Sequence, residues 1–328
     1  MKRFFLLLAV VGMLFTACSE AGTNEQPTPT EPEYVTVSLG LNVGLDYGYE
    51  PLSRAEENND LYGIQVYSTP YPATENAEWT KYAYGLFDNT DNLTIKLIRG
   101  YEYKFVASMV KDGKNKVYHS SYNDGYGSPF EHQTSSSTST TTPLSTSFIY
   151  SQLGLRLERN YISDYLNVDN YYGELEGYIP GDNDSKAIIE LKRISFGVKY
   201  IAKGDFAENG TLEILMNRAP QLNLNLAESN EVSEIYTFMH ARDAWLDENY
   251  TETISVVLRI AYSDGTTAPL GTHDITFKRN ITTIVNVDLT VSGDSGVGFE
   301  VTDGGEMPEG DEITIKDGEI VDTEIETN

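Results

Sequence analysis

From Tyr34 to Leu45 every odd position is aliphatic (Val35, Val37, Leu39, Leu41, Val43, Leu45), while the even positions are Tyr34, Thr36, Ser38, Gly40, Asn42 and Gly44. Successive side chains on a strand point to opposite faces, so this run predicts one long strand with a single apolar face. Shorter segments rich in β-branched and aromatic residues follow at 61–68, 93–98, 101–110, 116–119 and 148–155, separated by Gly, Asn and Asp turns. A second block reads as strand at 187–202, 211–216, 253–262, 273–278 and 281–291. Val232 to Leu246 has helical spacing through Val232, Ile235, Tyr236, Met239 and Trp245, and predicts a short helix in a crossover. The Ser/Thr run at 134–147 predicts a solvated loop.

Many short strands with so little helix predict an all-β fold of two tandem antiparallel β-sandwich domains, with at most one or two short helices. No period of about 20–50 residues recurs, which argues against a propeller or solenoid. Of the 23 tyrosines, 19 lie between Tyr34 and Tyr178, and the polar turn Gly181-Asp182-Asn183-Asp184 falls where that density ends. The expected boundary is therefore near 184, giving domains at 34–184 and 185–293 and an acidic tail at 294–328.

Charge narrows the partners. The chain has 328 residues with 23 Lys and Arg against 50 Asp and Glu, a formal net charge of −27. Nucleic-acid or anionic-membrane binding through a basic face is excluded, because such binding needs Lys and Arg to neutralise phosphates. Apolar residues make up 40% of the chain, enough for buried cores.

The N-terminal segment reads as an address rather than as fold. Lys2 and Arg3 precede an apolar stretch from Phe4 to Phe15, and Thr16-Ala17 leads into the only cysteine, Cys18. The stretch is too short to span a bilayer and has the layout of a secretory signal over 1–17. With Cys18 placed to become the new N-terminus, it resembles a bacterial lipoprotein signal, in which the thiol is acylated. Phe15 stands where Leu is usual. The Pro-, Thr- and Glu-rich residues 18–33 predict a disordered linker between lipid and fold.

The search for chemistry is negative. Nucleophile-elbow, zinc-protease, phosphate-loop and Cys-x-x-Cys motifs are all missing from the sequence. His119, His132, His240 and His273 are scattered singly, and acidic clusters such as Asp88 to Asp91 lack calcium-loop spacing, so no metal and no cofactor are expected. The chain reads as a non-enzyme.

The order of the pieces is more specific than any one of them. A lipid-type cysteine, an acidic linker, a long apolar strand and then Pro51-Leu52-Ser53-Arg54-Ala55-Glu56-Glu57 precede the second strand. This arrangement resembles the fimbrillin-like surface proteins of Bacteroides-type bacteria, the type V pilins, whose domains are transthyretin-like β-sandwiches. Segments 188–201 and 278–289 also look like strands of that family's second domain. The resemblance implies a lipid-anchored precursor at the outer membrane and cell surface. It implies cleavage between Arg54 and Ala55, removal of the strand carrying Val35, Val37, Leu39, Leu41, Val43 and Leu45, and refilling of its groove by a strand from another pilin subunit. Burial of six aliphatic side chains would contribute about 9–18 kcal/mol gross. The plain alternative is a permanent strand, with Arg54 an ordinary loop residue.

The C-terminus departs from the family's shaft subunits, which end in apolar donor strands. After Val291 there are twelve acids and one base. Asp317-Gly318 is a hairpin signal, and Ile313, Ile315, Ile320, Val321 and Ile325 form a candidate donor segment whose apolar face is interrupted by charge. A solvated acidic tail is the alternative, and shaft, tip and anchor roles stay open. The rival from a different class is a surface lipoprotein that binds a host glycan or protein receptor, stacking sugars on tyrosines such as Tyr82, Tyr84, Tyr122 and Tyr126.

Overall fold

The computed structural model describes residues 32–43, 59–72, 77–134, 136, 138–157, 164–181, 186–204, 210–289, 298–307, 315–316 and 319–320. The fold is all-β, with two short helices among the described residues, α1 (Gly113–Lys116) and α2 (Ala241–Leu246).

Seven longer strands build the first sheet: β1 (Tyr34–Val43), β2 (Leu61–Pro70), β3 (Thr80–Phe87), β4 (Thr94–Ile98), β5 (Tyr101–Val110), β6 (Asn170–Tyr178) and β7 (Lys186–Arg193). Their order is β3-β2-β5-β6-β7-β1-β4, with the two-residue strand Ile149–Tyr150 beside β3. The sheet closes over itself, because β1, β4 and β7 turn Val37, Leu39, Leu41, Val43, Ile95, Leu97, Ile189 and Leu191 into the same cluster as Tyr62, Ile64, Val66, Tyr103, Phe105 and Ala107 of β2 and β5. Two halves of one sheet thus form a sandwich around a shared core. β2 is buried on both faces from Leu61 to Thr69, because Leu61 and Tyr67 pack into a second cluster beyond the sheet. Even Gln65 is sealed in, its Nε2 donating to the carbonyls of Val66 and Ala83 at 3.0 and 3.1 Å.

The second sandwich stacks two four-stranded sheets. One contains β8 (Ser195–Lys203), β11 (Glu231–Thr237), β14 (Ile281–Asp288) and β15 (Gly298–Glu306), in the order β11-β8-β14-β15; the other contains β9 (Gly210–Met216), β10 (Leu222–Asn225), β12 (Thr251–Tyr262) and β13 (Thr267–Lys278), in the order β10-β9-β12-β13. Phe196 is the hub of its core, with ring centroids 4.6 Å from Phe238 and 4.8 Å from Phe277. Such contacts add roughly 0.5–1.5 kcal/mol each to the burial of the rings.

The two sandwiches join through polar bonds as well as apolar packing. Tyr165 Oη donates to Glu252 at 2.6 Å, Arg242 Nε to Glu174 at 2.9 Å, and the Asn170 amide to Ser195 Oγ at 2.8 Å. Arg193, the last residue of β7, holds both carboxylate oxygens of Asp169 and also donates from Nη1 to the Met307 carbonyl at 3.1 Å.

Several elements differ from the sequence reading. The segment 232–246 is a helix only over its end: residues 231–237 pair with β8 along seven positions, and that ladder, in a run carrying β-branched Val232, Ile235 and Thr237, outweighs the accidental helical spacing of Val232, Ile235 and Tyr236. Lys116 closes helix α1 instead of opening a strand, since the chain turns at Asp112, whose φ is 53°. Of 148–155 only Ile149–Tyr150 is strand. The run 187–202 breaks at Ile194, with β7 in the first sheet and β8 in the second, so sheet membership changes there rather than at 184. The Ser/Thr run is folded in part: His132–Gln133 pairs with Ser139–Thr140, and Thr142 is buried with its hydroxyl on the Phe130 carbonyl. Two pairs of neighbours, β1 with β7 and β8 with β14, are parallel within otherwise antiparallel sheets. The partners in each pair are far apart in sequence, and distant strands have no hairpin to impose antiparallel pairing.

Candidate functional site

The site of interest is the place of β1 in its sheet. Residues 34–38 pair antiparallel with 98–94 of β4, and residues 38–43 pair parallel with 186–191 of β7. β1 is therefore an interior strand, bonded along its first half to β4 and along its second half to β7. The alternation puts Val37, Leu39, Leu41 and Val43 at 8% exposure or less, with Val35 half-buried at the rim of the same core. On the other face Tyr34, Thr36 and Ser38 are exposed. Gly40 lies under the arm of Lys186, whose Cε would stand 3.0 Å from a β-carbon added there.

Taking β1 away would uncover the inner faces of Ile95, Leu97, Ala187, Ile189 and Leu191 and leave β4 and β7 each with an unpaired edge. Four fully buried aliphatic side chains at about 1.5–3 kcal/mol each give a gross contribution of about 6–12 kcal/mol. The slot is thus both apolar and rich in unsatisfied main-chain groups when empty, the combination that takes up another strand. β4 and β7 as walls of the slot were not singled out in the sequence, because periodicity reports which face a residue occupies and says nothing of which strand lies beside it.

Of the other residues named from sequence, Cys18, Leu45, Arg54, Ala55, Ile313, Val321 and Ile325 lie outside the described residues. Ile315 and Ile320 face each other across a two-residue antiparallel pair, with Lys316 opposite Glu319. The four tyrosines considered as stacking platforms are not equivalent. Tyr122 is 99% exposed, but Tyr126 is buried against the His119 ring. Tyr84 is half-buried and stacked on His132, with ring centroids 6.4 Å apart; burial pushes the Tyr84 phenol up and, against a bond to the Thr141 backbone, pushes the His132 imidazole down. Tyr82 is committed to the fold, its Oη donating to the Lys96 carbonyl at 2.7 Å.

A cavity of about 120 Å³ lies between Ser108, Glu131, Arg156, Asp164, Asn170 and Tyr172. It is well below the roughly 300–1,000 Å³ of small-molecule sites. Among the described residues no three His, Cys, Asp or Glu side chains are grouped to hold a metal ion.

No protein-family model matches the chain, and no curated protein matches it. Solved structures with a similar layout include candidate polysaccharide-binding proteins from Bacteroides thetaiotaomicron, with a TM-score of 0.39 at 11% identity over 84% of this chain and 98% of theirs. The fimbrial anchor protein Mfa2 from Porphyromonas gingivalis gives 0.35 at 8% identity over 78% of this chain and 90% of its own. A fimbrial assembly protein from Parabacteroides distasonis gives 0.35 at 11% over 83% and 100%. The likeness assigns no residue a role.

Proposed function

We propose that the chain is a fimbrial subunit or adhesin, exported as a lipoprotein through Cys18 and joined to other pilin subunits at the cell surface by strand exchange after cleavage between Arg54 and Ala55. What supports the reading is β1, an interior strand with one apolar face whose removal opens a slot between β4 and β7. It is preceded by a Pro/Thr/Glu spacer, and Arg54 lies in the stretch between it and β2. Cleavage alone does not empty the slot: with its ladder bonds and buried aliphatics intact, the severed strand stays until a donor strand displaces it.

Mass spectrometry of protein taken from the cell surface tests this. A mature N-terminus at Ala55 is the expected result, and Arg54→Ala is expected to leave folding and delivery unchanged while abolishing detergent-resistant oligomers. Intact, lipid-modified Cys18 on every copy would overturn strand exchange and leave an uncleaved lipoprotein that anchors a pilus or binds glycan.

A further inference from the structure

The slot has a second device that the strand-exchange reading does not use. β4 is the last strand of its sheet, yet its outer edge is covered at Lys96 and Ile98. The Leu39 amide donates to the Leu93 carbonyl at 2.9 Å, and the register runs on from there, so the main-chain groups of Ile95 and Leu97 face β1 while those of Thr94, Lys96 and Ile98 face outward. Three phenols take the four outward groups of Lys96 and Ile98. Tyr150 Oη accepts the Lys96 N–H at 2.9 Å and Tyr82 Oη donates to the Lys96 carbonyl at 2.7 Å. Tyr103 Oη accepts the Ile98 N–H at 2.6 Å and donates to the Ile98 carbonyl at 3.1 Å.

The phenols come from the opposite half of the sandwich, on the Ile149–Tyr150 strand, β3 and β5, and they brace one another. Tyr82 meets Tyr103 edge-on at 5.2 Å and Tyr150 at 5.4 Å. Tyr82 is the extra residue of a β-bulge, since Val66 pairs with Ala83 while Tyr67 pairs with Lys81. A bulge re-aims its side chain, here across the end of the sandwich. Burial, joined by the neighbouring phenols, raises the Tyr82 phenol far above its ordinary value, and burial raises Tyr103 to about 12, so both keep their donor proton at physiological pH.

We propose that Tyr82, Tyr103 and Tyr150 form a latch that closes the outer edge of β4 to strand addition and holds β4 as a standing wall when β1 leaves, directing a strand from another subunit into the slot rather than onto the edge. The second half of this proposal rests on the strand-exchange reading; edge closure stands without it. An unlatched β4 would be a short exposed edge, the usual template for unwanted pairing.

The test uses the full chain and its Tyr82→Phe/Tyr103→Phe/Tyr150→Phe variant, which keeps the three rings and removes only the hydroxyls. In uncut protein, amide hydrogen exchange at Lys96 and Ile98 is expected to rise about five- to tenfold in the variant, the scale of one lost hydrogen bond per group. Exchange at Ile95 and Leu97, which face β1, is expected to change far less. Unchanged exchange at Lys96 and Ile98 overturns the latch. Both proteins are then given a specific protease site across residues 51–57, cut, and mixed with a fluorescent peptide of residues 34–45. The protein with its three hydroxyls is expected to capture the peptide and stay monomeric, and the variant to capture severalfold less and associate through its freed edge. Equal capture without association overturns the directing role. If neither protein captures peptide while the exchange difference stands, strand exchange fails and edge closure survives.

Discussion

Removing Arg193 is expected to cost more than any other single surface-to-core change at the junction of the two sandwiches. Arg193 and Asp169 are 7% and 9% exposed, and the guanidinium grips both carboxylate oxygens from Nε and Nη2. The guanidinium also lies 5.5 Å from the centre of the Tyr171 ring. Arg193→Met keeps the bulk of the side chain but strands the Asp169 carboxylate in the interior, which costs about 3–5 kcal/mol. With a urea dependence of about 3 kcal/mol per molar, the unfolding midpoint should fall by about 1–1.7 M. Adding Asp169→Leu removes the stranded charge, and the double variant should recover most of the loss, because an apolar pair of similar volume is often neutral. Urea titration followed by tyrosine fluorescence and circular dichroism measures all three proteins. A midpoint for Arg193→Met within about 0.3 M of the unsubstituted chain would refute the reasoning, as would a double variant no better than the single one.

The Glu174 side chain, 3% exposed, resists ionisation through burial, but the bonds from Tyr172 and Arg242 and the charge of Lys104 outweigh this and hold its carboxyl below the ordinary value. Its contribution is therefore present above the ordinary carboxylate range and lost as pH falls through the lowered value, so the stability gap between the chain and Glu174→Gln, about 1.5–3 kcal/mol at neutral pH, should shrink on acidification below about pH 4.5. A gap that stays constant in acid-titrated denaturation would contradict it. On the lipoprotein reading, Cys18→Ser should move the protein from the membrane fraction to the soluble one, since one strong anchor is lost and the linker has no apolar face to replace it; continued sedimentation with membrane would count against that reading.

How much of this was legible in the sequence depended on whether the signal was a face or a neighbour. The alternation of Val37, Leu39, Leu41 and Val43 announced β1 and its buried side, because a strand's period is fixed by its geometry. The break at Ile194 was also written there, since burial follows odd positions at Ala187, Ile189 and Leu191 and even ones at Ile194, Phe196, Val198 and Tyr200. That change of phase marks where one sandwich hands the chain to the next, and a reading by segment composition passed over it. Strand partners left no comparable trace. Nothing local to residues 34–43 specifies a parallel neighbour at 186–191, and nothing local to Tyr82 shows a bulge that arises only from mismatch with β2. The tyrosines were therefore visible as a composition bias, and of the four weighed as stacking platforms Tyr82 instead bonds, with Tyr103 and Tyr150, the edge of a distant strand.

On the strand-exchange reading, the two parallel pairs set the first sandwich apart from the second. β8 lies beside β14 as β1 lies beside β7, and it too is interior and apolar on its inner face. Yet β8 is joined to β7 through Ile194, whose amide and carbonyl are bonded to Asn170 and Phe238, so it cannot leave without opening the junction held by Arg193. β1 has no such fastening among the described residues: its bonds run to β4 and β7, and its inner face meets a core that other strands complete. A strand fit for exchange must be stable in place and separable from the rest once its following connection is cut. On that reading β1 meets the first condition through its buried aliphatics and paired edges, and the second through its position ahead of the other described strands of the sandwich, with Arg54 in the sequence between it and β2.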